Sequence, residues 1–116
     1  MTYQKKAFEH AKYTNTEYPF LALGEEAGEV LGKLAKYVRK NGVTVGQALL
    51  HARDPSTEVQ GQLREDLIAE LGDVQWQLAA CATELFTTLE LVQDRNLAKL
   101  AGREERGTIE GVGDDR

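Results

Sequence analysis

Apolar residues in this chain recur with a helical period. Leu23, Ala27, Val30, Leu31, Leu34 and Val38 fall on one face of residues 20–40, at the spacing of an amphipathic helix. Leu63, Leu67, Leu71, Val74, Leu78, Cys81 and Leu85 form a second stripe, on a helix expected to start after Thr57 and to reach about residue 85. Residues 1–13 predict a first helix with Tyr3, Ala7, Phe8 and Ala11 on one side. Residues 88–101 predict a last one that buries Leu89, Val92, Leu97 and Leu100. No stretch alternates in the manner of paired strands. The expected fold is all-α, with four main helices around one core, as in a four-helix bundle.

Helix punctuation fits this division. Pro19 and Pro55 fall where helices should begin or break, and residues 15–19 read as a connector. Asn41-Gly42 is a stop, preceded by Lys36, Arg39 and Lys40, which suit a negative helix end. Thr44 with Gln47 has capping-box spacing, for a short helix through residue 52. Thr57 with Gln60 and Thr87 with Glu90 repeat that spacing. After residue 101 glycine and charge take over, with only Ile109 and Val112 as core candidates. This divides the chain into a domain over residues 1–101 and a tail over 102–116, mobile by its composition.

Composition removes several classes of function. The 116 residues suffice for one domain, and 41% hydrophobic with 28% charged residues argue against disorder. Cys81 is the only cysteine, so neither an intrachain disulfide nor a thiolate zinc site can form, and it reads as a small core residue. His10 and His51 have no evident partners and are expected at the surface. A net charge of −5 disfavours a non-specific nucleic-acid binder. No apolar run nears the roughly 20 residues of a membrane span. The polar start, Met1 to Lys6, is unlike a signal peptide. A soluble cytoplasmic protein is expected, with no nucleic-acid or membrane partner. A chain this small buries only about 60–70% of its unfolded surface. Trp76 lies opposite the leucine face of its helix and, with Ala80, suggests a second apolar face, for a subunit contact or a stacked base. A homodimer or homotetramer is therefore expected.

The informative chemistry is an internal echo. Glu26-Ala27-Gly28-Glu29-Val30 matches Glu70-Leu71-Gly72-Asp73-Val74 in the placement of two acids, a glycine and a valine. Residues three apart share a helix face, and in both helices the acids border the apolar stripe. Antiparallel packing would bring the two pairs to one cleft. A solvated acidic face is the plain reading of either pair alone; the echo favours a shared site. Converging carboxylates need a counter-charge at low dielectric, and oxygen ligands suit Mg²⁺ or Mn²⁺. A glycine inside a helix costs roughly 1 kcal/mol relative to alanine, so two at equivalent places suggest close helix approach or space for a substrate.

At these residues the chain resembles the MazG-like nucleoside triphosphate pyrophosphohydrolases, in their compact phage or bacterial form. The signature of that all-α family is E-x-x-E on one helix and E-x-x-D on a later one, here Glu26, Glu29, Glu70 and Asp73. Tyr3-Gln4, the run from Leu23 to Val30, Asn96 to Leu100 with Arg103, and the tail with Arg106-Gly107 and Gly111 to Arg116 also resemble family members. The spacing departs from the pattern, with 40 residues between Glu29 and Glu70. The aromatic residues with which relatives stack a base cannot be placed one for one.

The resemblance implies hydrolysis of a nucleoside triphosphate to the monophosphate and pyrophosphate. Glu26, Glu29, Glu70 and Asp73 would be the Mg²⁺ or Mn²⁺ ligands and catalytic groups. Lys33, Asn96, Lys99, Arg103, Arg106 and Arg116 would bind substrate, and the tail would close over a site. By position alone, Lys33 suits an intrahelical salt bridge as well as a phosphate, and Asn96 and Lys99 read as surface residues. Purine nucleotides, dGTP or GTP, are the favoured substrates on resemblance. The alternatives are a dUTP or dCTP pyrophosphohydrolase on the same bundle and a non-catalytic helical oligomerisation module.

Overall fold

The structure, a computed structural model, describes residues 1–111, 113 and 114. Its helices are α1 (Tyr3–Phe8), α2 (Tyr18–Asn41), α3 (Val45–Arg53), α4 (Glu58–Glu84) and α5 (Leu89–Arg106). No strand occurs among the described residues, so the all-α expectation holds. None of these helices is long and apolar enough to cross a membrane.

Local chemistry explains most boundaries. Pro19 occupies the first turn of α2, where its missing N–H is no loss, and Gly42 closes the helix at φ 63°. The capping box of α3 forms as expected: Thr44 Oγ1 accepts from the Gln47 N–H at 3.1 Å, and Gln47 Oε1 accepts from the Thr44 N–H at 2.9 Å. Thr57 caps α4 by accepting from the Gln60 N–H at 3.1 Å, while the Gln60 side chain turns to Ser56. Thr88, not Thr87, caps α5. Thr87 is committed to the preceding turn, its N–H donating to the Ala82 carbonyl at 2.9 Å. That turn places Phe86 at φ 54°, a conformation usually left to glycine.

Two helix lengths differ from the pattern. The first helix ends at Phe8 rather than continuing to residue 13, and Tyr13 instead lies in the connector. The last helix continues past residue 101 through Gly102 to Arg106, where Gly107 stops it at φ 68°. Apolar periodicity missed that extension because the added turn is polar on every side.

The helices α2 and α4 form an antiparallel pair, since Lys33 meets Glu70 while Tyr37 packs with Leu63. At one end α3 closes the pair with a core of Leu34, Tyr37, Ala48, Ala52 and Leu63. Here His51 is not a free surface group: its Nδ1 lies 2.9 Å from the Tyr37 hydroxyl. Cys81 is buried, as expected. At the other end α1 is clasped by Gln4. Its amide N–H₂ donates to Thr83 Oγ1 at 3.0 Å and to the Thr87 carbonyl at 2.9 Å, and its oxygen accepts from the Leu89 N–H at 2.8 Å. Tyr13 donates to Glu84 and stacks on Tyr18, fixing the connector to the same corner.

The apolar stripes are only partly covered within one chain. Leu31 is 69% exposed, Leu71 56% and Leu97 64%. The accessible surface is 8474 Å², against about 6,300 Å² for a compact chain of this mass. The radius of gyration is 17.3 Å, against about 13 Å for a compact domain of this length. The reason is α5, which meets α4 near Leu89 and then presents residues 91–99 to solvent. Close helix approach at Gly28 and Gly72 is not found either, because a Cβ at each would meet nothing within 4 Å.

Two measurements check this account of the corner. Replacing Gln4 by Ala leaves the buried Leu89 N–H without its acceptor and should cost about 2 kcal/mol in urea unfolding. An unchanged midpoint refutes the clasp. The Tyr13 phenol is pushed from 10.0 up to about 12, first by burial and then by Glu84. Its folded value exceeds its unfolded one, so the contact stabilises fully below pH 10 and is lost as the pH climbs toward 12. The stability gap between the native chain and Tyr13→Phe should therefore close over that alkaline range. A gap that persists at the top of it is the contrary result.

Candidate metal centre

Antiparallel packing of α2 and α4 brings the two acidic motifs together. One carboxylate oxygen from each of Glu26, Glu70 and Asp73 lies within 4.8 Å of the others. Glu26 and Glu70 are half-buried and Asp73 is exposed. The fourth acid, Glu29, stands outside this triad, with its carboxylate beside Gly32 on its own helix. The sequence expectation of four converging acids is thus met by three within one chain.

Electrostatics at the triad are unbalanced. Burial raises the Glu26 carboxyl above the usual range, and the charges of Asp73, Glu70, Glu25 and Glu29 raise it further, in that order. The nearest counter-charge is Lys33, whose Nζ lies 3.9 Å from Glu70 Oε1. Lys33 therefore pairs across the helices rather than with Glu29 on its own. One edge-on lysine does not neutralise three acids. The donor set is all oxygen, without imidazole or thiolate among its members. Such a set fits a hard divalent cation, Mg²⁺ or Mn²⁺, and does not suit zinc.

A cavity of about 460 Å³ adjoins Asp73, lined by Tyr3, Ala7, His10, Gly72 and Trp76. Trp76 is held there by its indole N–H, which donates to the Ala7 carbonyl at 3.1 Å. Trp76 is thus docked on the short first helix within its own chain, where the sequence left a subunit contact open. Nothing in the spacing of the residues points Tyr3 or His10 to this place. Their approach depends on how α1 docks on α4, which no local pattern encodes. Gly72 lines this cavity, so of the two meanings offered for the glycines, open space is the one found here.

The expected phosphate-binding residues of α5 occupy a separate neighbourhood. Asn96 and Lys99 are exposed. Lys99 Nζ lies 3.2 Å from Asp114 Oδ1, and a guanidinium nitrogen of the buried Arg103 lies 3.1 Å from the same oxygen. Arg103 Nε is buried and has no hydrogen-bond partner among the described residues. Arg106 folds over Gly102. Among the described residues, no hydrogen bond or ion pair joins Asn96, Lys99 or Arg103 to the acidic triad. Val112 and Arg116 lie outside the described residues. Asp114 shows that the tail folds back on α5 at least this far. Its carboxyl is lowered below the usual range by Lys99 first and Arg103 second.

Residues 15–108 match the MazG nucleotide pyrophosphohydrolase domain. That span contains α2 to α5 and all four acids of the echoed motif, and begins after α1. The Gene 37 protein of Mycobacterium phage L5 is 40% identical over 100 residues, spanning 85% of this chain and 75% of its own. No solved structure matches the chain.

Thermal unfolding tests the cation site without reference to catalysis. Mn²⁺ at a hundredfold excess over its dissociation constant should stabilise the chain by about 2.7 kcal/mol, a shift of several degrees. Asp73→Asn should abolish most of that shift while leaving the metal-free melting point no lower, since one repelling charge is removed. Equal shifts in both proteins would contradict a cation on the triad. For the tail, the sign runs the other way from Tyr13. The depressed Asp114 carboxyl gives a contact present above the ordinary carboxylate range and lost as the pH falls below it. Amide exchange around Gly111 to Asp114 should accelerate on acidification and in high salt, and Asp114→Asn should show no such transition.

Proposed function

The chain belongs to the MazG nucleotide pyrophosphohydrolase domain family, and on that premise we propose that it hydrolyses nucleoside triphosphates to the monophosphate and pyrophosphate with Mg²⁺ or Mn²⁺. The observation that carries this reading is the triad of Glu26, Glu70 and Asp73 from two helices. These three residues would hold the cation. Glu29, one turn along α2 from Glu26, would add a fourth oxygen donor on turning its side chain away from Gly32. A divalent cation supplies charge neutralisation at the phosphate oxygens and a more acidic water.

The remaining work falls to the chain itself. A carboxylate of the site accepts the proton of the attacking water as its oxygen bonds to the α-phosphorus. The bond from that phosphorus to the bridging oxygen breaks, and pyrophosphate leaves. Lys33, beside Glu70, offsets negative charge on the departing group. Purine substrates, dGTP or GTP, are favoured over dUTP and dCTP. The roomy cavity beside Asp73, with Trp76 and Tyr3 in its wall, supports that preference.

The functional unit is a homodimer or homotetramer. The accessible surface exceeds that of a compact chain of this mass by about 2,000 Å², more than the roughly 800 Å² that each partner of a standard interface buries. Leu31 and Leu71 would lie within the interface, and α5 would bring Asn96, Lys99, Arg103 and Arg106 to a neighbour's phosphates.

A panel of nucleotides in ¹⁸O water tests the chemistry. Label should appear in the monophosphate, with pyrophosphate as the other product, and EDTA should stop turnover. Release of orthophosphate through a diphosphate means an ordinary phosphatase instead. Glu70→Ala should lower kcat by about 10²–10³-fold, the scale of losing one electrostatic group at the transition state. Its helical circular dichroism should stay intact, because Glu70 is not part of the apolar core.

Assembly is tested separately. Sedimentation at micromolar concentration should give a dimer or larger, and Leu31→Glu should shift it toward monomer. A fully active monomer refutes the shared site.

A further inference from the structure

A second cavity is joined to the triad through Lys33, further along the helix pair and away from Trp76. It encloses about 300 Å³ between the last half of α2 and the first turns of α4, with Lys33, Lys36, Lys40 and Tyr37 on one wall and Gln62 and Asp66 on the other. The lysines are three and four residues apart and so share one face of α2, turned toward α4. Arg39, on the same turn, does not line the cavity.

Charge distinguishes this groove from the rest of the molecule. The chain carries a net −5, yet the groove holds three ammonium groups against one carboxylate. Lys33 is the junction, since it lines the groove and also reaches Glu70 of the triad at 3.9 Å. Lys36 and Lys40 make no ion pair among the described residues, and as an i, i+4 pair of like charges they repel. The one carboxylate of the groove, Asp66, accepts instead from the Gln62 amide of its own helix at 2.8 Å. Two unpaired cations facing one cavity that opens beside a cation site suit a compact polyanion.

We propose that this groove seats the β- and γ-phosphates of the substrate, and the pyrophosphate they become, through Lys36 and Lys40 continuing from Lys33. The identity of the anion rests on the pyrophosphohydrolase reading above. The antiparallel helices then set the substrate's polarity. From an α-phosphorus at the triad, the phosphate chain runs toward the C-terminal end of α2, and the nucleoside runs the other way, into the cavity of Trp76 and His10. Neither Lys36 nor Lys40 belongs to the acidic motif or to α5, and in the sequence they read only as cations suited to a helix end.

Calorimetric titration of the full chain with inorganic pyrophosphate, in Mg²⁺ buffer, tests the assignment. The double variant Lys36→Gln/Lys40→Gln should lose about tenfold or more in pyrophosphate affinity, the scale of losing charge-assisted hydrogen bonds. KM for the nucleotide should rise by a similar factor, and affinity for the nucleoside monophosphate should stay within about twofold of the native value. Lys36→Arg/Lys40→Arg should restore both, which separates charge from any effect on folding. Unchanged pyrophosphate affinity overturns the proposal. Weakened pyrophosphate binding with an unchanged KM also overturns it, because the groove would then serve a free polyanion and not the substrate. If no nucleotide is turned over but pyrophosphate binding still depends on these lysines, the groove stands as an anion site and the hydrolase reading fails.

Discussion

Three carboxylates within 4.8 Å of one another repel, and the packing of α2 on α4 has to hold them there. The restoring force comes from both ends of the pair. At one end α3 closes a small apolar core around Ala48 and Leu63. At the other, Gln4 and Tyr13 tie the first helix and its connector to the corner between α4 and α5. The acids sit between these two anchors, where local relaxation is limited. Repulsion that cannot relax appears instead as a Glu26 carboxyl raised above its usual range.

The same geometry gives the site its two flanks. Residues C-terminal to Asp73 on α4 meet the first helix and form an aromatic cavity, with Trp76 held against the Ala7 carbonyl. Residues N-terminal to Glu70 meet the basic half of α2 and form a cationic one. An elongated ligand with one flat end and one polyanionic end matches that arrangement. The match follows from antiparallel register alone, since the helix that carries Glu26 carries Lys33 and Lys40 further along the same face.

Outside the helix pair the chain is open. Leucines that face a bundle core by their periodicity remain largely accessible, and Phe86 is 99% exposed at a left-handed turn. A strained, solvated phenylalanine and exposed leucines both destabilise an isolated chain. The oligomer proposed above would cover them and remove these costs. The tail adds a smaller closure of its own, with Asp114 occupying the cations of α5 that resemble phosphate ligands. An anion bound at Lys99 and Arg103 would have to displace it.

Much of this was legible in the residues themselves. Helical periodicity determined the all-α class, and Thr44, Thr57 and the glycine after Asn41 determined where helices start and stop, because caps are local chemistry. The echoed acids pointed to the place where Glu26, Glu70 and Asp73 meet, although i, i+3 spacing did not bring Glu29 with them. Tertiary structure decided what local pattern cannot reach. It set Glu29 apart from the triad and paired Lys33 with Glu70 across helices. It carried Tyr3 and His10 to Asp73, and buried Arg103 beneath the tail. It also decided that the leucine stripes stay uncovered within one chain. A stripe shows which face a helix must bury, but the partner for that face is fixed by interhelix register and by the direction in which α5 leaves α4.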